Sequence, residues 1–308
     1  MARPCALPHR IIGLTFAALL NALSLDPAQA ITSEEVVAAW KLHSGRINSI
    51  DYKATQNRKE KVYEPTLGDE QGRRGAEADV SPVVLIGHLR FIKSNNRLAF
   101  QRSSEVWNSL ARRKVVLRQH FCFDGTRNLS YVQGIPASCG QITPSKTADA
   151  QLIGNVETIP IWWAHFPASQ ISQAGDFSVD DMKITEQQDQ TRIALEVVSR
   201  SNKELFYFLR VDATNGFRIN KVKLEHQGRK LLDLDIEYVA DDEVGWRIAA
   251  WDCASIDGLH ISTEVDECRV NENVPDESFV VEFPAGTEMV PSREFQFLPE
   301  KYQKDKKK

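Results

Sequence analysis

The residues best spaced for chemistry are three acidic side chains at alternate positions, Asp233, Asp235 and Glu237. Residues two apart in a strand share a face, so a carboxylate pair for acid–base catalysis or a Ca²⁺ site could form there. A tight turn before this strand would place Lys223 and Lys221 opposite the two aspartates. Because these lysines neutralise the carboxylates, the pattern favours a solvated strand face over a catalytic pair or a calcium site.

Histidine positions and sequence motifs also give no indication of catalysis. The sequence contains no G-x-S-x-G, H-E-x-x-H, P-loop or G-x-G-x-x-G motif. No two histidines have a spacing typical of metal ligands. We therefore expect a protein that is not an enzyme and that uses neither a metal nor another cofactor. The histidines beyond residue 30 are His43, His88, His120, His165, His226 and His260.

The first thirty residues are predicted to be a secretory signal peptide. Arg3 and Arg10 precede the apolar run 11–25, and residues 28–30 (Ala-Gln-Ala) suit a signal peptidase. At about 1.5 Å per residue, this run is short for a hydrocarbon core about 30 Å thick, which disfavours the alternative of an uncleaved anchor. We expect a mature chain from Ile31 that is periplasmic or secreted and has no transmembrane span after cleavage.

Four cysteines in the mature chain suggest two disulfides. Cys122, Cys139, Cys253 and Cys268 allow three pairings in an exported protein. Cys122–Cys139 and Cys253–Cys268 are favoured because each pair brackets a predicted turn. Free buried thiols are the alternative, and the spacing does not support a zinc site.

Residues 202–238 are predicted to form three antiparallel strands that organise the fold. Asn215-Gly216 marks the first turn and residues 227–229 the second, since these residue types tolerate the positive φ of tight turns. The third strand alternates apolar and acidic residues, which indicates one buried face and one solvated face. A three-residue second turn predicts the pairs Lys221–Asp235, Val222–Leu234, Lys223–Asp233 and Leu224–Leu232.

The rest of the mature chain predicts a mainly β protein with one or two helices. A hydroxyl cap and two acids at residues 32–35 start a helix that ends at Gly45. Residues 159–166 suggest a second, short helix that plugs one end of the core. Sequential hairpins indicate a highly curved antiparallel sheet or an open barrel. About eleven strands are predicted, including 47–63, 83–93, 97–102, 115–123, 126–133, 182–188, 191–199, 246–253 and 260–270.

Composition limits the partners. The chain is 42% hydrophobic and 26% charged with a net charge of −4, which is typical of globular proteins. A slightly acidic chain gives no support for a nucleic-acid partner. Residues 64–82 and 136–149 are predicted loops, and the basic segment 301–308 is a predicted disordered tail.

Four segments carry motifs that resemble a known family. Residues 87–102 (GHLRFIKSNNRLAFQR) and 121–131 (FCFDGTRNLSY) look like two of its hairpins. Residues 211–238 resemble its repeated strand pair, and residues 273–290 (NVPDESFVVEFPAGTEMV) its closing segment. This family is the periplasmic lipoprotein-sorting carriers, the Lol-type (LolA/LolB-like) proteins. The chain departs from the pattern in its insertions near 64–82 and 135–175, in its cysteines and in lacking an anchor cysteine.

The resemblance implies a single domain, residues 31–300, folded as an unclosed half β-barrel with a helical lid. It also implies an extracytoplasmic carrier that binds a lipid or an acylated protein in an apolar concave hollow. The alternative is a cell-envelope sensing or structural domain that binds a protein partner with the same fold.

The apolar faces of the predicted elements supply the candidate residues for this hollow, and an ordinary core is the alternative for each of them. Three aromatic residues, Trp162, Trp163 and Phe166, are candidates for a lid. Candidates for the lining are Trp40, Phe91, Phe100, Phe121, Phe123, Phe206, Phe208, Leu232, Leu234 and Tyr238.

Overall fold

A computed structural model describes most of the chain between residues 30 and 290. The described residues are 30–62, 81–108, 113–134, 137–149, 152, 157–168, 181–188, 191–199, 202–256 and 258–290. The predicted signal peptide, nearly all of the 64–82 insertion and the 301–308 tail lie outside them. None of the described helices is long and apolar enough to span a membrane.

One sheet of fourteen strands organises the described residues. Its order is β14-β6-β5-β4-β3-β2-β1-β13-β12-β11-β10-β9-β8-β7, so the pairing of β1 with β13 joins two runs of consecutive hairpins. All neighbours are antiparallel except β14 and β6, and the two edge strands do not pair with each other. The prediction of an unclosed, mainly antiparallel sheet is confirmed.

The sequence places turns between strands of alternating pattern, and the strands follow those turns closely. In the first run the strands are β1 (Ser49–Val62), β2 (Ser81–Ser94), β3 (Arg97–Asn108), β4 (Arg113–Phe123), β5 (Arg127–Val132) and β6 (Cys139–Pro144). In the second run they are β7 (Met182–Gln188), β8 (Arg192–Val198), β9 (Leu205–Asp212), β10 (Arg218–His226), β11 (Arg229–Asp241), β12 (Gly245–Ser255) and β13 (His260–Val270). The two-residue β14 (Glu288–Met289) completes the sheet.

Among the described residues, two α-helices lie on one face of the sheet, which we call the inner face. α1 (Ser33–Gly45) begins and ends where the cap and the glycine predict. α2 (Ile159–His165) follows Thr158 and has Pro160 in its first turn, where the missing N–H costs no hydrogen bond. The prediction of one or two helices, the second short and buried, is therefore confirmed.

Contacts of α2 show how strongly the sheet curves. Trp162 lies 5.8 Å from Phe91 of β2, and the adjacent Trp163 lies 5.6 Å from Tyr207 of β9, measured between ring centroids. In a flat sheet these strands would be about 29 Å apart, at about 4.8 Å per strand. Two neighbouring side chains reach both strands only because the sheet bends around the helix, which makes the inner face concave.

The hairpin of β10 and β11 has the predicted register. Lys221 pairs with Asp235, and Lys223 pairs with Asp233, so the charged residues share the outer face of the sheet. The turn itself is shorter than predicted, because Gln227 and Gly228, with φ of 51° and 72°, form it alone. A bulge between Leu224 and Glu225 restores the register.

Two sequence predictions about the secondary structure need correction. Residues 136–149 were expected to be a loop, but they contain β6, which pairs with β5 and with the closing β14. The sheet also contains fourteen strands where about eleven were expected. Short strands rich in Gly, Ser, Thr and Pro gain their stability from pairing with neighbours, which local sequence patterns do not show.

The predicted disulfides Cys122–Cys139 and Cys253–Cys268 are absent, and all four thiols are free. Cys122 and Cys139 pair with opposite edges of β5, opposite Leu129 and Val132, so they are about 14 Å apart, beyond the Cα separation of about 7 Å that a disulfide tolerates. Cys253 pairs with Ile261, seven residues from Cys268 along β13, which is about 23 Å. Two cysteines on either side of a turn do not come together when the strand register places them at different positions along the strands.

Thiol labelling should distinguish these cysteines. Burial raises the pKa of Cys122 to about 12 and the pKa values of Cys253 and Cys268 to about 11, which keeps these thiols protonated and unreactive. Cys139 is half-buried on β6, next to the edge strand β14. We expect N-ethylmaleimide to modify Cys139 within minutes in native protein, and the other three only in urea, as measured by intact mass. Fewer than four modifications in urea without reductant would reinstate a disulfide.

Candidate functional site

α2 fills the middle of the inner face with aromatic side chains. Its residues from Pro160 to His165 are all buried. Trp162 meets Phe91 edge-on and lies 5.4 Å from the Phe166 ring. The ammonium group of Lys93 lies 4.7 Å from the centroid of the Phe166 ring. The three predicted lid residues are therefore the contact surface between the second helical segment and the sheet.

Most of the predicted lining residues share this inner face. Phe91, Phe100 and Phe121 form a row across β2, β3 and β4, and Phe123 lies on the same side two residues further along. Trp40 reaches the inner face from α1 and donates its indole N–H to the Phe217 carbonyl oxygen at 2.6 Å. On β11 the inner face carries Leu232, Leu234 and Tyr238.

Phe206 and Phe208 lie on the outer face, so the expectation that they line the hollow is wrong. Tyr207, between them, is the residue that contacts Trp163 on the inner face. Phe208 pairs with Lys223, which belongs to the charged outer face of β10. The two phenylalanines stack on each other there with ring centroids 6.3 Å apart. The alternating pattern correctly placed Phe206 and Phe208 on the same face of β9. It could not show which face of this strand is the inner one.

A buried polar cluster lies beneath α2. Nε2 of His165 lies 2.6 Å from the Tyr52 hydroxyl oxygen, and this oxygen accepts a hydrogen bond from the Ile248 N–H at 3.0 Å. With Nε2 of His165 accepting, Nδ1 carries the ring proton and can donate to His43 Nε2 at 3.3 Å. His43 also stacks on Trp246 with ring centroids 3.9 Å apart. The cluster joins both helices to two strands.

Burial keeps the two histidines neutral. It lowers the pKa of His43 to about 4, and with the repulsion of His43 it holds the pKa of His165 well below its usual value. Burial also raises the pKa of Tyr52. Sequence spacing could not reveal this cluster, because its histidines are 122 residues apart. Because its groups are buried and neutral, the cluster fits a structural role, which is to position α2 on the sheet.

Polar contacts tie both ends of the α2 segment to its surroundings. Just before the helix, the buried Glu157 carboxylate lies 3.0 Å from the guanidinium of Arg102 on β3. Burial raises the pKa of Glu157, and Arg102 opposes that shift. At the other end Ser44 of α1 donates a hydrogen bond to the His165 carbonyl oxygen at 2.8 Å. Between these contacts the segment is held mainly by apolar packing.

A cavity of about 720 Å³, which we call the outer cavity, lies on the opposite face of the sheet. Residues from six neighbouring strands, β13 to β5 across the sheet, form its floor, and Glu282 and Pro284 form a wall. The wall is held because Phe279 and Val281 pack on Ile92, Ala99 and Cys122 of the outer face. Gly140 of β6 helps, because a Cβ there would lie 2.5 Å from the Phe283 ring.

Most of the residues that line the outer cavity are polar or charged, and most of its charged side chains are paired. Lys53 pairs with Glu267 at 2.5 Å, and Arg90 makes a bidentate pair with Asp51 at 2.9 and 2.6 Å. Sequence reasoning did not identify this cavity. The available signal was a set of polar residues alternating with apolar ones on consecutive strands, namely His88, Arg90, Gln101, Ser103, Arg118 and His120.

Metal-binding side chains do not converge in the part of the chain that the structure describes. No group of three His, Cys, Asp or Glu side chains in that part could hold a metal ion. The acidic stripe of β11 is engaged by lysines, since Lys221 lies 3.1 Å from Asp233 and 2.6 Å from Asp235. The interpretation of that stripe as a solvated face fits these ion pairs.

Solved structures similar to this chain have low sequence identity. A LolA superfamily protein from Nitrosomonas europaea is 12% identical with a TM-score of 0.42, covering 82% of this chain and 99% of that one. A DUF1329 family protein from Desulfovibrio piger is 8% identical with a TM-score of 0.46, covering 82% and 98%. A chain of the Pseudomonas aeruginosa MucA/MucB complex is 11% identical with a TM-score of 0.23, covering 80% and 61%.

The sequence matches no protein-family profile and no curated protein. With TM-scores below 0.5, the structural likenesses do not decide what the chain binds. The fold itself rests on the sheet topology described above.

Proposed function

We propose that the protein is an extracytoplasmic, non-catalytic carrier that binds a lipid or the acyl group of a lipoprotein on the inner face of its half-barrel. The observation that carries this proposal is the α2 plug, whose buried aromatic residues occupy the concave face of an open sheet. The predicted signal peptide supports a periplasmic or secreted location.

The physical case rests on what α2 replaces. An acyl chain gains about 0.8 kcal/mol for each CH₂ that it buries, so an apolar hollow binds it without any catalytic group. Displacement of α2 would free the row of Phe91, Phe100 and Phe121 together with Leu234 of β11. The helix has only seven residues and spans about 10 Å, so it can move as one small unit. Trp162, Trp163 and Phe166 would then cover the bound chain as a lid.

Gentle purification of the mature protein tests the proposal. Native mass spectrometry should show acyl-containing species bound to the protein, and organic extraction should release them. A fluorescent fatty-acid probe should then bind saturably to the emptied protein. Recovery of one stoichiometric envelope protein with no acyl species would favour the alternative, a sensing or structural domain that binds a protein partner. Absence of both adducts and saturable probe binding would contradict the carrier.

A matched pair of variants locates the binding face. Phe121 and Phe208 are both half-buried strand residues, but they lie on the inner and outer faces respectively. We expect Phe121→Ala to weaken probe binding about fivefold, which corresponds to about 1 kcal/mol, and Phe208→Ala to leave it nearly unchanged. Equal effects of the two substitutions would remove the inner face as the site.

A further inference from the structure

The outer cavity has charged side chains of both signs that lack an ion-pair partner. Lys53 and Arg90 are neutralised by Glu267 and Asp51. Neither the guanidinium of Arg118 nor the carboxylate of Glu282 has a hydrogen-bond or ion-pair partner among the described residues, although both line the cavity. A cavity with unmatched charges of both signs suits a ligand that carries both.

Hydrogen-bond donors surround the cationic end of the cavity. Ser103 of β3 pairs directly with Arg118 of β4, so the two side chains are neighbours on the outer face. On the next row, the Gln101 amide lies 3.3 Å from His120 Nε2 and can donate to it. The neutral ring then carries its proton on Nδ1, which makes His120 a further donor. Guanidinium, hydroxyl and imidazole N–H together suit an oxyanion.

Carboxylates form the acidic end. Glu282 projects from the wall, and Asp266 lies on the β13 side of the floor. Asp266 accepts a hydrogen bond from the Thr55 hydroxyl at 2.9 Å, and no described lysine or arginine neutralises it. A purely anionic ligand would meet these two carboxylates, and a purely cationic ligand would meet Arg118.

We infer that the outer cavity binds a zwitterion, with its oxyanion, a phosphate or carboxylate, at Arg118 and Ser103 and its ammonium at Glu282 of the wall. The planar fork of arginine matches both kinds of oxyanion. The volume of about 720 Å³ falls within the range of about 300–1,000 Å³ of small-molecule sites. This site is separate from the inner face and goes beyond the proposed acyl carrier.

Calorimetric titration of the mature protein tests the inference with three small probes that differ in charge. O-phosphoethanolamine carries both charges, glycerol 3-phosphate only the anion and ethanolamine only the cation. We expect O-phosphoethanolamine to bind at least about tenfold more tightly than either of the others. β-Alanine tests the carboxylate form of the zwitterion. No binding of either zwitterion, or equal binding of all the probes, would overturn the inference.

Three variants assign the two ends of the ligand. Arg118→Gln should weaken O-phosphoethanolamine binding about tenfold or more, whereas Arg113→Gln, an exposed arginine of the same strand outside the cavity, should leave it unchanged. Glu282→Gln should remove the preference for O-phosphoethanolamine over glycerol 3-phosphate. Equal effects of Arg118→Gln and Arg113→Gln would show that the binding depends on the overall charge of the protein and not on the cavity.

Vesicle binding distinguishes two possible sources of the zwitterion, a lipid headgroup and a free small molecule. Co-sedimentation with phosphatidylethanolamine/phosphatidylglycerol vesicles but not with phosphatidylglycerol vesicles, lost in Arg118→Gln, would identify a lipid headgroup as the ligand. Titration by the soluble zwitterion without vesicle binding would identify a free small molecule. Acyl occupancy of the inner face is measured separately, so the carrier proposal and this inference can fail independently.

Discussion

Acidification from pH 7.5 to pH 4.5 is expected to lower the free energy of unfolding by roughly 2 to 3 kcal/mol through His43 alone. Burial lowers the pKa of His43 to about 4 in the folded protein, against about 6.5 in the unfolded chain. Between these values the unfolded chain binds the proton that the folded protein excludes. The contribution is therefore complete above about pH 6.5 and is lost as the pH falls through 4.

The neighbours of His43 act in the same direction or are silent in this pH range. Burial holds the pKa of His165 well below its usual value, and Arg46 further lowers the pKa of His43. The Tyr52 hydroxyl, whose pKa is raised, stays protonated throughout. Asp124, whose pKa is lowered to about 2 by its hydrogen bonds, loses its contribution only at more acidic pH. His120 of the outer cavity, whose pKa burial also lowers to about 4, should add a loss of similar size, so the histidine cluster accounts for only part of the acid sensitivity.

Urea unfolding followed by tryptophan fluorescence at pH 7.5, 6.5, 5.5 and 4.5 measures the effect. His43→Gln should lower the stability at pH 7.5, because it breaks the contacts to His165 and Trp246. It should also make the dependence on pH shallower. His226→Gln, which removes a half-buried histidine at the end of β10, outside the cluster, controls for the loss of an imidazole. An unchanged pH dependence in His43→Gln would place the acid sensitivity outside the cluster.

The parts of the fold that sequence could predict are those fixed by local patterns. The capping residues and Gly45 correctly predicted where α1 begins and ends. The alternation of apolar and charged residues correctly predicted that Lys221 pairs with Asp235 and Lys223 with Asp233. The open sheet follows from a chain of hairpins, each closed by its own turn. The unclosed half-barrel that the Lol-type resemblance implied is confirmed by the order of the strands.

The parts that sequence could not predict depend on distant pairing. Whether Phe206 and Phe208 or their neighbour Tyr207 faces inward is decided by where α2 docks, far away in the chain. The offset of Cys253 from Cys268 is decided by the register of β12 on β13. The outer cavity assembles from six strands and a C-terminal wall, so its unmatched Arg118 and Glu282 meet only in the folded protein. Local patterns cannot encode such meetings.

Trp162→Ala is expected to destabilise the protein by about 3 to 5 kcal/mol, which is among the largest effects of any single substitution in it. The indole is almost fully buried and packs against Phe91 and Phe166. Its Nε1–H lies 3.4 Å from the Leu152 carbonyl oxygen, so truncation removes both packing and a hydrogen bond. The sheet bent around α2 cannot collapse fully into the space, which adds the cost of a cavity.

The same substitution links stability to the proposed function. Trp162→Ala leaves a space the size of an indole on the inner face and weakens the packing of α2 against the sheet. We therefore expect the variant to bind the fatty-acid probe more tightly than the wild type does. Trp107→Ala, at a half-buried position of β3, is the control and should cost about 1 kcal/mol or less without changing probe affinity. Trp162→Phe keeps most of the packing and provides a folded intermediate should Trp162→Ala not fold.

Urea unfolding and probe titration on the same samples distinguish a carrier from a domain with an ordinary filled core. In a carrier, stability and affinity move in opposite directions from wild type through Trp162→Phe to Trp162→Ala, because α2 and the acyl chain compete for one surface. In a filled core, Trp162→Ala loses stability and none of the three proteins binds the probe. That second result would leave α2 as a structural plug and remove the inner face as a lipid site.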